Sequence, residues 1–243
     1  MKFGSVIATE SELRVFCDRF RDANCGYSTF HGMETFRHII HGHEVWTIQR
    51  GAGEIRAAAA TQELIKAFRV GAILNFGVCG GLAEDIPLAE PLIVSNVIHY
   101  DYDVSAVDGC VPARYEQYPT IYIPANLRFV YTAADANPGI HRVTCASGDK
   151  FLARAEDKRN LRARFETAQI CDMEAAGILL TANMWNVPAL LIKAVSDGVT
   201  GGVEESHKTF SRAANSCLDA LDNFLSKVKG DDLFESNWNC PQD

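Results

Sequence analysis

The chain has 243 residues, 47% of them hydrophobic and 22% charged, with a net charge of −8 and a pI near 5.4. That length can bury a substantial core, and the acidic balance argues against a nucleic-acid-binding protein, which usually carries a basic face. No apolar run reaches the length of a membrane span. Residues 1–8 are too short, and too soon followed by Glu10 and Glu12, for a secretory leader. The eight cysteines (Cys17, Cys25, Cys79, Cys110, Cys145, Cys171, Cys217 and Cys240) contain no Cys-x-x-Cys pair. Free thiols and a cytoplasmic location are therefore expected.

In chain order, residues 1–8 read as a first buried strand and 10–22 as a helix. Residues 36–40 and 45–49 read as a hairpin turning at His41-Gly42-His43. Gly51-Ala52-Gly53 ends that strand, and 54–69 is an Ala-rich helix. A short strand over 72–76 stops at Gly77-Val78-Cys79-Gly80-Gly81, and another covers 92–98. Residues 189–195 form a buried strand ending in Ser196-Asp197-Gly198. The last helix runs from about 203 to 228, with Phe210, Ala214, Cys217, Leu221 and Leu225 recurring at helical spacing. Strand and helix signals alternate throughout, the pattern of an α/β protein. We expect one domain over 1–229 and a loose, polar tail over 230–243.

The stretch Ile170-Cys171-Asp172-Met173-Glu174-Ala175-Ala176-Gly177-Ile178 carries the most chemical information. It sets Glu174 at a helix start, while Asp197 stands at the end of the next strand. Carboxyl ends of strands are where open α/β sheets place their chemistry. Gly77-Val78-Cys79-Gly80-Gly81 allows close backbone approach to a ligand, or is an ordinary tight turn. Gly51-Ala52-Gly53, preceded by Arg50, could offer helix N-terminal amides to an anion, or be a plain strand-to-helix turn. His41-Gly42-His43-Glu44 has metal-ligand residue types, but a hairpin tip without a third ligand reads as an exposed turn. Phe151 follows Ser147-Gly148-Asp149-Lys150 in a strand-to-helix loop, either to stack on a planar ligand or to cap the core. Glu12, alone, reads as a surface glutamate on the first helix.

Taken together and in order, these motifs resemble the 5′-methylthioadenosine/S-adenosylhomocysteine nucleosidases of the nucleoside phosphorylase superfamily, over 1 to about 228. The resemblance rests on the Glu12 region, Asn75-Phe76-Gly77-Val78-Cys79-Gly80-Gly81-Leu82, Tyr100-Asp101-Tyr102-Asp103-Val104, Ser147-Gly148-Asp149-Lys150-Phe151, Asp172-Met173-Glu174-Ala175-Ala176 and Ala194-Val195-Ser196-Asp197. It implies a three-layer αβα sandwich around a mixed twisted sheet, no cofactor or metal, and a homodimer. The implied reaction is hydrolysis of an adenine nucleoside to adenine and the free sugar. By the same resemblance Asp197 is the acid that protonates N7 of the leaving base, oriented by Ser196. Glu174 matches the carboxylate on the ribose hydroxyls, Met173 the residue against the sugar, and Glu12 the base that orients water. Phe151 matches the base-stacking aromatic, the Leu152 backbone reads the adenine edge, and Phe210 covers the 5′ pocket.

The chain departs from that pattern at Val78, where many nucleosidases carry a hydroxyl near the water, and at Lys193, where they usually carry arginine. Val107 stands where a partner subunit commonly donates phenylalanine, so the 5′ substituent stays open. Phosphorylases of the superfamily hold phosphate with an arginine and a hydroxyl at the positions of Asn75 and Val78, neither of which can pair with its charge. Hydrolysis is therefore expected over phosphorolysis, although Lys193, Arg50 and Arg56 could rebuild an anion site. A non-catalytic nucleoside-binding protein is the third alternative, opposed by the joint presence of Asp197, Glu174 and Glu12.

Overall fold

The computed structural model describes residues 1–30 and 33–230. In chain order the elements are β1 (Lys2–Ile7), α1 (Glu10–Arg19), a 3₁₀ turn (Arg21–Ala23), β2 (Asn24–Phe30), β3 (Met33–Ile40), β4 (His43–Gln49) and α2 (Glu54–Lys66). There follow β5 (Ala72–Gly81), β6 (Pro91–His99), α3 (Ser105–Asp108), β7 (Ile123–Pro124), α4 (Leu127–Ala136), β8 (His141–Ser147) and α5 (Ala155–Arg164). The chain continues with β9 (Ile170–Asp172), α6 (Ala175–Met184), β10 (Ala189–Asp197) and α7 (Val203–Lys227). All but residue 230 of the predicted tail lies outside the described residues.

Local chemistry accounts for these boundaries. α1 opens with a capping box: Thr9 Oγ1 accepts the Glu12 N–H, and the Glu12 carboxylate accepts the Thr9 N–H. The β3–β4 hairpin turns at His41 and Gly42, both at positive φ (50° and 78°), the handedness that matches strand twist. α6 is apolar around most of its circumference and is buried along nearly its whole length. It approaches α2 so closely that a Cβ on Gly177 would lie 2.3 Å from the Glu54 carbonyl oxygen.

The described strands form a mixed sheet in the order β10-β6-β8-β9-β5-β1-β4-β3-β2, with β7 beside β6 and a further pairing of β10 with β5. That further pairing closes five strands (β5, β10, β6, β8 and β9) into a ring, from which β1, β4, β3 and β2 extend as an arm. β1, β4, β5 and β10 run parallel, whereas β10 and β6 are antiparallel. α1, α4 and α7 gather on one side and α2 and α6 on the other, giving the expected three layers. One apolar core runs through the sheet, and a smaller cluster lies under α5.

β5 differs from its expected boundary. It continues through Gly77 to Gly81 instead of stopping at Phe76. The glycines serve close approach rather than a turn: a Cβ on Gly77 would lie 2.5 Å from Glu12 Oε1, and one on Gly80 2.9 Å from Cys171 Sγ. A second irregularity lies opposite. β10 pairs Val195 with Cys79 but Asp197 with Gly80, so Ser196 is the extra residue of a β-bulge.

Candidate active site

The carboxyl ends of β1, β5, β9 and β10 meet at the seam of the ring and enclose a cleft of about 200 Å³. Glu12, Val78, Met173, Glu174, Ser196, Asp197 and Phe151 all face it. A smaller recess beside it adds Leu152. In a regular strand, consecutive side chains point to opposite faces. The bulge at Ser196 lets Ser196 and Asp197 line the same cavity.

Each carboxylate is held differently. Asp197 Oδ1 accepts a hydrogen bond from Ser196 Oγ at 3.0 Å, and Ser196 in turn meets Ser206 Oγ of α7 at 2.9 Å. Burial pushes the Asp197 carboxyl above its ordinary value, against the opposing pull of Lys158 and Ser196. Glu12 Oε2 accepts from Thr9 N and Oγ1 (3.0 and 2.8 Å), and its Oε1 accepts the Val78 N–H at 3.1 Å. The capping box therefore aims this glutamate inward. Glu174 is the N-cap residue of α6, and its Oε1 accepts the Gly53 N–H at 3.0 Å. Burial, then the neighbouring Asp172, raise the Glu174 carboxyl to about 7, although Lys193 and the Gly53 amide pull it down.

Beneath Glu174 lies a buried polar cluster. Ser147 Oγ hydrogen-bonds both Glu54 Oε1 and Asp172 Oδ1, the latter at 2.6 Å. Glu54 Oε2 accepts the Gly177 N–H at 2.5 Å. Lys193 Nζ lies 2.8 Å from Asp172 Oδ2. Burial and Asp172 push Glu54 up to about 8. Burial alone would also raise Asp172, but Lys193, Ser147 and the Ala175 amide outweigh it and hold that carboxyl low. Burial would lower the Lys193 ammonium, and Asp172 and Glu174 outweigh it in the other direction.

The structure brings together Glu12, Glu174, Asp197, Met173, Phe151, Leu152, Ser196 and Val78. Lys193 sits behind the wall, paired to Asp172, and Phe210 stands one turn beyond Ser206 on α7, outside the residues lining the cleft. Two of the three cationic candidates for an anion site, Arg50 and Lys193, are engaged elsewhere, whereas Arg56 lies against Gly51. Arg50 pairs with Glu63 of α2. The α2 amides read as anion donors point at the protein's own carboxylates, Gly53 N–H at Glu174 and Glu54 N–H at Asp149 Oδ1 (2.7 Å). Arg50 and Lys193 thus do not converge. The hairpin histidines are also partnered, His41 with Asp222 and His43 with the Met1 amino group.

Two features escape the sequence. Lys158 of α5 is buried against Asp197, although it stands in Ala-Glu-Asp-Lys-Arg-Asn-Leu-Arg-Ala-Arg, where nothing distinguishes it from solvated neighbours. Glu54 looks like a first-turn helix acid, and only the position of Gly177 in space shows that it is buried.

The family model of the phosphorylase superfamily matches residues 2–227, and the chain belongs to that superfamily. Within it, the chain is 26% identical over 231 residues to a 5′-methylthioadenosine/S-adenosylhomocysteine nucleosidase of Bacillus cereus, covering 94% of this chain and 98% of that protein. The solved Streptococcus pneumoniae MTA/SAH nucleosidase in complex with 8-aminoadenine superposes with a TM-score of 0.87 at 26% identity, over 94% of this chain and 100% of that one. Helicobacter pylori futalosine hydrolase shares the fold, with a TM-score of 0.86 at 21% identity over 94% and 98% of the two chains. Among the described residues, no helix is long and apolar enough to cross a membrane.

Proposed function

We propose that this chain is an adenine-nucleoside N-glycosidase, hydrolysing 5′-methylthioadenosine, S-adenosylhomocysteine or a related adenosine derivative to adenine and the free sugar. The observation that carries this reading is one cleft lined by three separately held carboxylates, Glu12, Glu174 and Asp197. Asp197, whose carboxyl burial pushes toward the protonated form, donates to N7 of the base, which could not leave readily as an anion. Phe151 stacks on the base and the Leu152 backbone reads its edge. Glu174 holds the ribose hydroxyls, and its charge favours the oxocarbenium-like sugar. Met173 lies against that sugar. Glu12 orients a water beside Val78 for attack opposite the leaving group, the geometry of an inverting glycosidase. Phe210 covers the 5′ side, and Lys193 acts from behind the wall through Asp172.

Water is favoured over phosphate by the pairing of Arg50 with Glu63 and of Lys193 with Asp172. The α2 amides are already occupied by carboxylates. A phosphate dianion here would lack Arg50 and Lys193 as charge-assisted partners. The test is base release in phosphate-free buffer and then with phosphate, with the sugar identified. Free sugar without phosphate is expected. Strict phosphate dependence with a sugar 1-phosphate product overturns the hydrolase reading, and binding without turnover of any adenine nucleoside favours a binding protein.

In this reading the enzyme is one domain over 1–229 and acts in the cytoplasm as a homodimer. Support for the dimer comes from the 101–114 loop. Asp149 N–H donates to Asp101 Oδ2 at 3.2 Å, tying that loop to the cleft-side loop of Phe151. Val107, Val111 and Phe151 are 90%, 61% and 48% exposed. A second copy covering them would complete the 5′ pocket.

A further inference from the structure

Lys158 has no exposed surface. From α5 its Nζ donates to Asp197 Oδ2 at 2.5 Å, to Gly198 O at 2.6 Å and to Asp197 O at 3.1 Å. An ammonium has three protons to give, and these three bonds engage all of them on two consecutive residues. Other groups also face Asp197. Ser196 on β10 donates to its Oδ1. Glu205 on α7 accepts the Gly198 N–H at 2.7 Å. Cys171 and Asp172 stand on β9. Lys150 also borders the recess beside Asp197 but pairs with Asp157 at 3.6 Å; Lys158 is the cation bonded to Asp197.

We propose that Lys158 is the positioning residue of the general acid: it fixes the Asp197 carboxyl at the cavity wall and stabilises the carboxylate left when the proton moves to the departing base. This rests on the glycosidase reading. A carboxyl buried without a cation stays protonated but gives up its proton reluctantly, because the anion it leaves is poorly solvated. Lys158 supplies the missing counter-charge, so one environment both loads the acid and lets it discharge. In the step itself, the Asp197 proton moves to N7, and the electron pair of the C1′–N bond stays with the base. The carboxylate remains paired with the Lys158 ammonium, which keeps its three protons. Water adds at the anomeric carbon, and the proton it loses replaces the one Asp197 gave.

The sign of the pH effect follows. Asp197 must be protonated to act, so its ionisation sets the alkaline limb of kcat/KM. Removing Lys158 destabilises the ionised form, and the limb moves to higher pH. An opposite charge at contact distance shifts a carboxyl by about 1–3 pH units.

The test compares wild type with Lys158→Gln, Lys158→Met and Lys158→Arg on two substrates. One is an adenine nucleoside, and the other is 4-nitrophenyl riboside, whose leaving group needs no proton. Lys158→Gln and Lys158→Met should lose on the order of 10²-fold on the nucleoside, within the range of general-acid catalysis, and far less on the nitrophenyl riboside. Their alkaline limb should rise by about 1 unit or more. Lys158→Arg, which keeps the charge, should hold the wild-type limb. Equal losses on both substrates with an unmoved limb overturn the proposal and leave Lys158 a structural residue. If only Lys158→Arg and Lys158→Gln fold, those two decide it. A ¹³C titration of the Asp197 carboxyl gives a readout independent of turnover: a higher value in Lys158→Gln than in wild type supports the proposal, and no difference overturns it. Wild type releasing no base from any adenine nucleoside would instead sink the glycosidase reading, and the titration would still report whether Lys158 holds Asp197.

Discussion

Asp197, Glu174 and Glu12 are chemically alike, and their surroundings give them different tasks. Asp197→Asn should retain the fold and lose on the order of 10²–10⁴ in base release, checked by steady-state assay beside circular dichroism; near-normal turnover would remove it from the mechanism. A second expectation concerns stability. In the folded chain Glu54 and Glu174 bind their protons up to about 8 and about 7, against an ordinary value of 4.5. The folded state therefore holds more protons than the unfolded state between those limits, and stability should fall as pH rises from about 4.5 to about 8. Glu54→Gln should flatten that fall in melting temperature; an unchanged profile would show that burial of Glu54 carries no proton. Glu174 and Asp197 were legible in the sequence because each stands at a helix start or strand end, whereas Glu12 read alone as a surface glutamate and only the family resemblance raised it. Lys158 was not legible. Its helix carries charges around its whole circumference, and only the packing of α5 against the end of β10 selects which lysine is buried.

The strands place these residues by local irregularity. The extension of β5 through its glycines lets Glu12 reach Val78, and Gly77→Ala would put a methyl carbon 2.5 Å from Glu12 Oε1. Glu12 is held by Thr9 and Val78, so moving it breaks those bonds. We expect a loss on the order of 10² in turnover, the cost of misplacing a reacting group by about 1 Å, with far-UV circular dichroism unchanged. Full activity would mean that Glu12 does not orient the nucleophile. Glycine runs and turns look alike in a sequence, which is why the strand seemed to end at Phe76. The bulge at Ser196 was equally hidden, since a one-residue offset between strands is set by the partner strand. The hairpin at His41-Gly42 was visible because its cause is contained within a few consecutive residues.

At the level of the whole chain, the α/β layers were legible from alternating elements, whereas the closed ring was not, because β10 joins β5 across more than a hundred residues. Dimerisation is the expectation at this scale. Light scattering at assay concentration should give twice the chain mass, and Val107→Glu should shift it toward monomer with loss of activity; a fully active monomer would show that one copy completes the cleft. The ring has a further consequence for how the molecule breathes. Its strands each have at least two neighbours, whereas β2 ends the arm and pairs with β3 alone. Amide hydrogen exchange should therefore proceed outward-in, with β2 and β3 exchanging through low-energy openings and β5 and β10 only through global unfolding. Asp197 and Met173 belong to the protected part, so the base-holding side of the cleft should stay assembled through every fluctuation that loosens the arm.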